Sequence, residues 1–430
     1  MSIKKSSLHY VLLCLAALAG LMLWSQPAGA QASYTWDQIK SKFEVANPTL
    51  KADAITVQEL KAAEITAFLR PNPTFTLSTD GTQVARYQGV WKPTTGTQVS
   101  PAVSYLHERQ HKRELRLESA QEGTQIATSL HSDLERTLLF TLRTQFVQTL
   151  EAKAIVDLSR QQLEYYDKII DISRARFKSG DLAQIDLDRI ELLRVQYESD
   201  LQTAEVNLRT AKIQLLQLLN DRTPVEQFDV QGPFEFSDQL QPLEAYRQIA
   251  LDNRPDLKAA LESIQQATTN HKLAVANGST DPTFAGWYTY NPSFNNPYAH
   301  QTIGASVSIP LRIFDRNQGE KERTQLDIGR NQQLTDATRA QVFSDVDSSY
   351  ALVNSNVILL RPYRDKYLAQ AVRVRDTVTY AWQHGGASLM DFLNAQSEYR
   401  GVQLAYLQLI GSYLTAAGQL NLAVGREVIQ

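Results

Sequence analysis

Two hydrophobic periods alternate along this chain. From Gln301 to Leu311, Ile303, Ala305, Val307, Ile309 and Leu311 alternate with Thr302, Gly304, Ser306, Ser308 and Pro310, the period-two pattern of a strand with one apolar face. A second arm, Pro282–Asn291, carries Phe284, Trp287, Tyr288 and Tyr290. The Asn- and Pro-rich stretch between the arms predicts a hairpin with a long loop over about 282–311. A weaker version is expected over about 73–106, with Phe75 and Leu77 in one arm and Val99, Val103 and Tyr105 in the other.

After each hairpin the period lengthens. Ile126, Leu130, Leu134, Leu138, Leu142, Phe146 and Leu150 recur at every fourth residue, and Phe343, Val346, Tyr350, Val353, Val357 and Leu360 alternate steps of three and four, so helices packed on helices are expected. No proline falls between Glu108 and Ser179, and an uninterrupted helix over about 108–179 would be about 105 Å long, more than a globular core requires. Gly180 permits a reversal into a return helix over about 183–220. The second set runs over about 312–383, with a kink or a fresh start at Pro362, then turns at Gly385-Gly386 and returns over about 387–424.

The two sets match each other. Arg176-Phe-Lys-Ser-Gly180 with Asp186 aligns without a gap on Ala381-Trp-Gln-His-Gly385 with Asp391, and Pro73-Thr-Phe75 falls on Pro282-Thr-Phe284. The order and near-constant spacing predict a duplication: a first repeat over 31–225 and a second over 243–430, joined by a proline-bearing linker, 223–242. The expected fold class is therefore mainly α with a small β part. It has long antiparallel helical hairpins and two β-hairpins per chain.

Strands of this length with aromatic flanks suit a transmembrane barrel, where every backbone polar group must be paired. Four strands cannot close one, because the smallest such barrels use about eight, so other copies must complete it. In this setting the chain resembles the TolC family of outer-membrane efflux channels. The likeness rests on the duplication, on the two glycine turns with Asp186 and Asp391, on Asp391-Phe-Leu-Asn-Ala-Gln396, and on Ile309-Pro-Leu-Arg-Ile-Phe-Asp315 between strand and helix. It implies a homotrimer with a shared 12-strand barrel in outer-membrane lipid and an α-helical tunnel across the periplasm. It also implies docking to a periplasmic adaptor and an inner-membrane pump. The family reading places the periplasmic aperture and adaptor-docking turns at Arg176, Lys178, Gly180, Asp181, Asp186, His384, Gly385 and Asp391. Tyr87, Trp91, Tyr105, Trp287, Tyr288, Tyr290, Phe294 and Tyr298 become candidates for interfacial aromatic girdles.

Composition narrows the alternatives. Lys4 and Lys5, the apolar stretch Val11–Trp24 and Ala28-Gly29-Ala30 read as a secretory signal peptide over 1–30, too short to serve as a spanning helix of roughly 20 residues. The single Cys, Cys14, falls inside it after the bulky Leu13, so no disulfide and no lipid anchor are expected. With Lys+Arg 43 against Asp+Glu 46, nothing pulls the chain toward nucleic acid. His107-Glu108-Arg109-Gln110-His111 matches the H-E-x-x-H pattern of zinc peptidases. A secreted zinc metallopeptidase is therefore the alternative from another class, beside a type I protein-secretion exit channel and a periplasmic scaffold. The flank Lys112, Arg113, Glu114, Arg116 is too charged for a partly dry catalytic core, and the duplicated segment has no histidine. No metal, cofactor or enzymatic activity is expected.

Overall fold

The polypeptide's structure is a computed structural model that describes residues 32–292 and 298–429. The expected signal peptide and Phe294 lie outside them. In chain order the elements are β1 (Ala32–Tyr34), α1 (Trp36–Ala46), α2 (Pro48–Ala67), β2 (Thr74–Asp80), β3 (Gln98–Leu106), α3 (Lys112–Lys178), α4 (Gln184–Leu218) and β4 (Phe228–Val230). Then follow α5 (Leu243–Asn253), α6 (Pro255–Asn277), β5 (Thr283–Tyr290), β6 (Gln301–Ser308), α7 (Gln318–Pro362), a π-helical turn (Tyr363–Tyr367), α8 (Leu368–Gln383) and α9 (Leu389–Val424). The succession of short helix, longer helix, hairpin, long helix and return helix occurs twice. As expected, the chain is mainly helical with a small β part.

The helix boundaries have local causes. Gln110 and His111 have φ 59° and 54°, and Asn317 has φ 61°; these left-handed residues cannot continue a right-handed helix, so α3 and α7 begin just after them. Pro362 closes α7, and the following π turn widens the backbone before α8 resumes, which accommodates the ring without breaking the run.

By contact the chain divides into two units, each described by itself. One contains Leu50–Glu135 and Leu251–Ser344. Its sheet has the order β2-β3-β5-β6, antiparallel throughout. Its helical part is tied by polar pairs: the Ser119 hydroxyl donates to Asn270 Oδ1 at 2.6 Å, Ser129 donates to Glu262 at 2.7 Å, and His131 Nδ1 lies 2.6 Å from Asp53. At the passage from β3 to α3, buried Lys112 donates to Asp281 at 2.6 Å and to the Ser279 carbonyl at 3.1 Å.

The other unit holds the described residues up to Thr49, Arg136–Ala250 and Asp345 onward. Here β1 pairs in parallel with β4, Ala32 opposite Phe228 and Tyr34 opposite Val230, so part of the expected linker is a strand. The helix α1 buries Ile39 and Phe43 completely, and its Lys42 donates to Asp221 at 2.9 Å. Along α3, Leu142, Phe146 and Leu150 are buried while Leu130 is 51% exposed. A strict four-residue step advances about 40° per repeat on a helix of 3.6 residues per turn, so the expected stripe drifts off any one face. In α7 the mixed steps hold, and Val346, Val353, Val357 and Leu360 are all buried.

Candidate functional site

Two surfaces carry the chemistry, the sheet and the pair of helix reversals. In the sheet, strand alternation and register sort the residues onto two faces. One carries Phe75 and Leu77, Val99, Val103 and Tyr105, Phe284, Tyr288 and Tyr290, and Ile303, Ala305 and Val307. The other carries Thr74, Thr76 and Ser78, Ser100 and Ser104, Thr283 and Thr289, and Thr302, Ser306 and Ser308. The polar face is knitted by its own hydroxyls: Ser100 and Thr289 meet at 2.8 Å, and Ser78 donates to the Ser100 carbonyl at 3.2 Å. The apolar face is open, with Ile303 88% and Phe75 67% exposed. Among the described residues, the outer edges of β2 and β6 pair with no strand.

The candidate aromatics divide between these surfaces. Tyr105, Tyr288 and Tyr290 lie on the apolar face. Trp287 does not: register puts it on the polar face, and a Cβ on Gly304 would sit 2.3 Å from its ring. Only glycine leaves that space. Tyr87 and Trp91 lie in the exposed β2–β3 loop, where Tyr87 bridges to Val90, and Tyr298 is fully exposed in the β5–β6 loop.

The reversals share one construction. Gly180 has φ +84° and Gly385 φ +76°. The Asp181 N–H reaches back to the Arg176 carbonyl at 2.9 Å, and the Gly386 N–H to the Ala381 carbonyl at 2.7 Å. These are Schellman closures, which demand a left-handed residue after the helix. The two aligned glycines thus take the same place in their turns. Beneath the turns Tyr166, Ile169 and Ile170 of α3, Ile190 and Tyr197 of α4, Trp382 of α8 and Phe392 of α9 form one buried cluster, with Trp382 stacked on Phe392 at 4.5 Å.

Each charged candidate has a definite place. Arg176 donates to the Trp382 carbonyl at 3.2 Å and covers its ring at 5.0 Å, so it staples one reversal to the other. Lys178 is exposed. Asp181 accepts from Ser179 at 2.7 Å. His384 Nδ1 lies 2.8 Å from the Tyr380 carbonyl, its ring over that tyrosine at 4.1 Å. Asp391 completes a capping box: it accepts from the Ser388 N–H at 3.2 Å and hydroxyl at 2.7 Å, while Ser388 accepts from the Asp391 N–H at 3.1 Å. Those bonds to Ser388 hold the Asp391 carboxyl below its ordinary value. Asp186, at the same helical position in α4, faces Ala183, which has no capping side chain. It lies 3.9 Å from Arg189 instead. The equal spacing of Asp186 and Asp391 from their glycines therefore conceals unequal surroundings.

Trp382, within the Ala381-Trp-Gln-His-Gly385 motif, carries no polar signal in the sequence, and its burial marks it as the hub of this end. The α4 helix also has an apolar seam that the sequence reading passed over. Ile190, Tyr197, Ala204 and Ala211 are buried, whereas Ile185, Leu192, Val206 and Ile213 are exposed. Both sets keep a seven-residue register, with Ser199 taking the place between Leu192 and Val206 in the exposed one, and an offset of two residues turns about 200° around the helix, so the seams lie on opposite sides. The H-E-x-x-H segment is not helical: His107–Arg109 is irregular and Gln110 and His111 are left-handed. Glu108 is held by Arg116 at 2.5 and 2.9 Å. The zinc-peptidase alternative needs both histidines on one helical face, and this geometry does not provide it.

Residues 246–426 match the outer membrane efflux protein family. The chain is 24% identical to the outer membrane protein TolC of Escherichia coli over 72% of this chain and 66% of TolC, just under two thirds of that relative's length. It is 22% identical to the cobalt-zinc-cadmium resistance protein CzcC of Cupriavidus metallidurans over 73% of this chain and 74% of CzcC. In fold it is similar to CusC, with a TM-score of 0.76 at 16% identity over 94% of this chain and 95% of that one. The open-state MtrE outer membrane channel of Neisseria gonorrhoeae gives 0.72 at 15% identity, covering 94% of each chain.

Proposed function

We propose that this chain is a member of the outer membrane efflux protein family and one subunit of a passive outer-membrane exit duct, the terminal component of a tripartite efflux system. The observation that carries the reading is the sheet, which has an open apolar face, a hydroxyl-lined face and two edges that pair with no strand among the described residues. Lipid suits the first, a water-filled lumen the second, and neighbouring copies the third. Three copies would supply the 12-strand barrel. The exposed seam on α4, opposite a seam already filled within the chain, is what a helix needs to stand between two neighbours in a closed helical wall.

In this reading the reversals at Gly180 and Gly385 form the periplasmic aperture, and the chain meets a periplasmic adaptor and an inner-membrane pump there. Arg176, Lys178, Asp181, Asp186, His384 and Asp391 line or brace it, and Asp186 is the residue best placed to form a ring of carboxylates. The duct performs no chemical step and uses no cofactor, so transport energy comes from the pump. CzcC is named for cobalt, zinc and cadmium resistance, and divalent metals therefore head the substrate classes to test. Purified protein should run as a heat-resistant trimer and conduct ions in planar bilayers. A monomer without conductance overturns the proposal.

A further inference from the structure

Between α3, α4, α8 and α9 lies a cavity of about 210 Å³. That is smaller than the roughly 300 Å³ at which drug-sized pockets begin, and somewhat larger than a cavity of about 150 Å³ that accepts a single benzene ring. Its lining combines aromatic walls with groups that can only give, or readily give, a hydrogen bond. Tyr166 is 1% exposed, and its hydroxyl and the Gln162 Nε2 are buried without a partner. Burial, and after it the neighbouring Tyr197, pushes the Tyr166 phenol well above its usual range, so it keeps its proton. The Arg375 guanidinium lies 4.1 Å from the Tyr399 ring centre and the Arg400 guanidinium 5.5 Å from that of Tyr197. Arg375 meets Asp376 at 2.7 Å and Arg400 meets Asp200 at 2.5 Å. A guanidinium has five N–H donors, so one carboxylate contact leaves others available.

Buried donors without acceptors destabilise a fold unless something occupies the space beside them. Flat tyrosine walls favour a ring, and a lining of hydroxyl, amide and guanidinium donors favours a negatively charged acceptor. We propose that this cavity is a binding site for a small aromatic carboxylate. The guest's ring lies among Tyr166, Tyr197 and Tyr399, and its carboxylate accepts from Tyr166 and Gln162 beside Arg375 and Arg400. Because the cavity is lined by all four helices that end at the reversals, a bound guest joins the α3–α4 hairpin to the α8–α9 hairpin. This site is independent of whether the chain conducts.

The test is calorimetric titration of the purified full-length protein with benzoate, beside benzamide and cyclohexanecarboxylate. Benzoate is expected to bind one per chain. Benzamide, lacking the charge, and cyclohexanecarboxylate, lacking the flat ring, are both expected to bind more weakly. Tyr166→Phe keeps the ring and removes one donor, and should weaken benzoate about tenfold, as expected for a hydrogen bond to a charged group. Gln162→Leu provides a second variant with the same expectation. Absence of benzoate binding, which would mean a cavity filled by water alone, overturns the proposal. So does equal affinity for benzoate and benzamide, or unchanged affinity in both variants.

Discussion

The two faces of the sheet can be separated by placing the same arginine at adjacent residues of β6. Ile303 and Thr302 are consecutive and both exposed, but alternation puts Ile303 with Phe75, Val103 and Tyr288, and Thr302 with Ser100 and Thr289. If both faces met water, each substitution would change stability by less than about 0.5 kcal/mol. If the apolar face meets hydrocarbon, Ile303→Arg costs from about 1 kcal/mol per chain at the interfacial depth of its partner Tyr288 to about 2–4 kcal/mol toward mid-membrane, and so about 3–12 kcal/mol over a three-chain barrel. Thr302→Arg, directed at a wet lumen, stays within about 0.5 kcal/mol per chain, as for other solvent-facing positions. The measurement is the yield of heat-resistant trimer in the outer-membrane fraction, followed by urea unfolding from liposomes. Loss of trimer with Ile303→Arg and its retention with Thr302→Arg is the expected pair. Equal behaviour of the two, or greater damage from Thr302→Arg, would refute the assignment of faces.

Four further outcomes follow from particular contacts. Gly304→Val drives a side chain into the Trp287 ring and should cost about 1–3 kcal/mol, read as a lower urea midpoint. Gly385→Val places a branched residue at φ +76° and should cost about 1–2 kcal/mol, with faster amide exchange confined to the ends of α8 and α9. Asp186→Asn should reduce cation preference in planar bilayers, while Ser388→Ala should cost about 0.5–2 kcal/mol of stability through loss of the cap and leave ion preference unchanged. Asp221 is held down to about 2, first by the Thr223 hydroxyl and then by Lys42. A folded value below the unfolded one stabilises fully above the ordinary carboxylate range and fades as pH falls through about 2. The stability difference between the parent protein and Asp221→Asn should therefore persist from pH 6 to pH 4, be largely lost by about pH 2 and vanish below it.

What could be read from the sequence follows the range of the forces involved. Strand alternation is local, and the residues named for each arm, Phe75, Leu77, Val103, Ile303 and Val307, do share one face. Glycine turns are also local, because the left-handed backbone at Gly180 and Gly385 depends on little beyond the missing Cβ. Trp287 was grouped with Tyr288 and Tyr290 on composition alone, yet adjacent residues in a strand point opposite ways, so they could not all share one girdle. The strand β6 was expected to reach Leu311 and ends at Ser308. The apolar alternation continues past it, but its partner β5 begins at Thr283, opposite Ser308, and Pro310 has no N–H to offer a ladder. Pairing of β1 with β4 joins segments far apart in sequence, over three residues each, too short for a periodic signal. The H-E-x-x-H match shows the converse: a local pattern whose meaning depends on helical geometry that Gln110 and His111 do not adopt.

The exposed surfaces of the lone chain are informative because each has an opposite that is already satisfied. On α4, the seam of Ile190, Tyr197 and Ala204 is buried by the chain's own helices, while Ile185, Leu192 and, past Ser199, Val206 keep the same register on the far side. In the sheet, β3 and β5 are paired on both edges, while β2 and β6 are each paired on one. Hydroxyls line one face around Trp287, and mostly apolar side chains cover the other. A chain selected to stay dissolved as a monomer would place charge or proline along such edges and break such seams. Here the open edges are bordered by Phe75 and Ile303, which would invite nonspecific pairing if left in water. Lipid on the apolar face and identical neighbours on the edges remove both liabilities together, and a ring of copies does so without leaving a new edge.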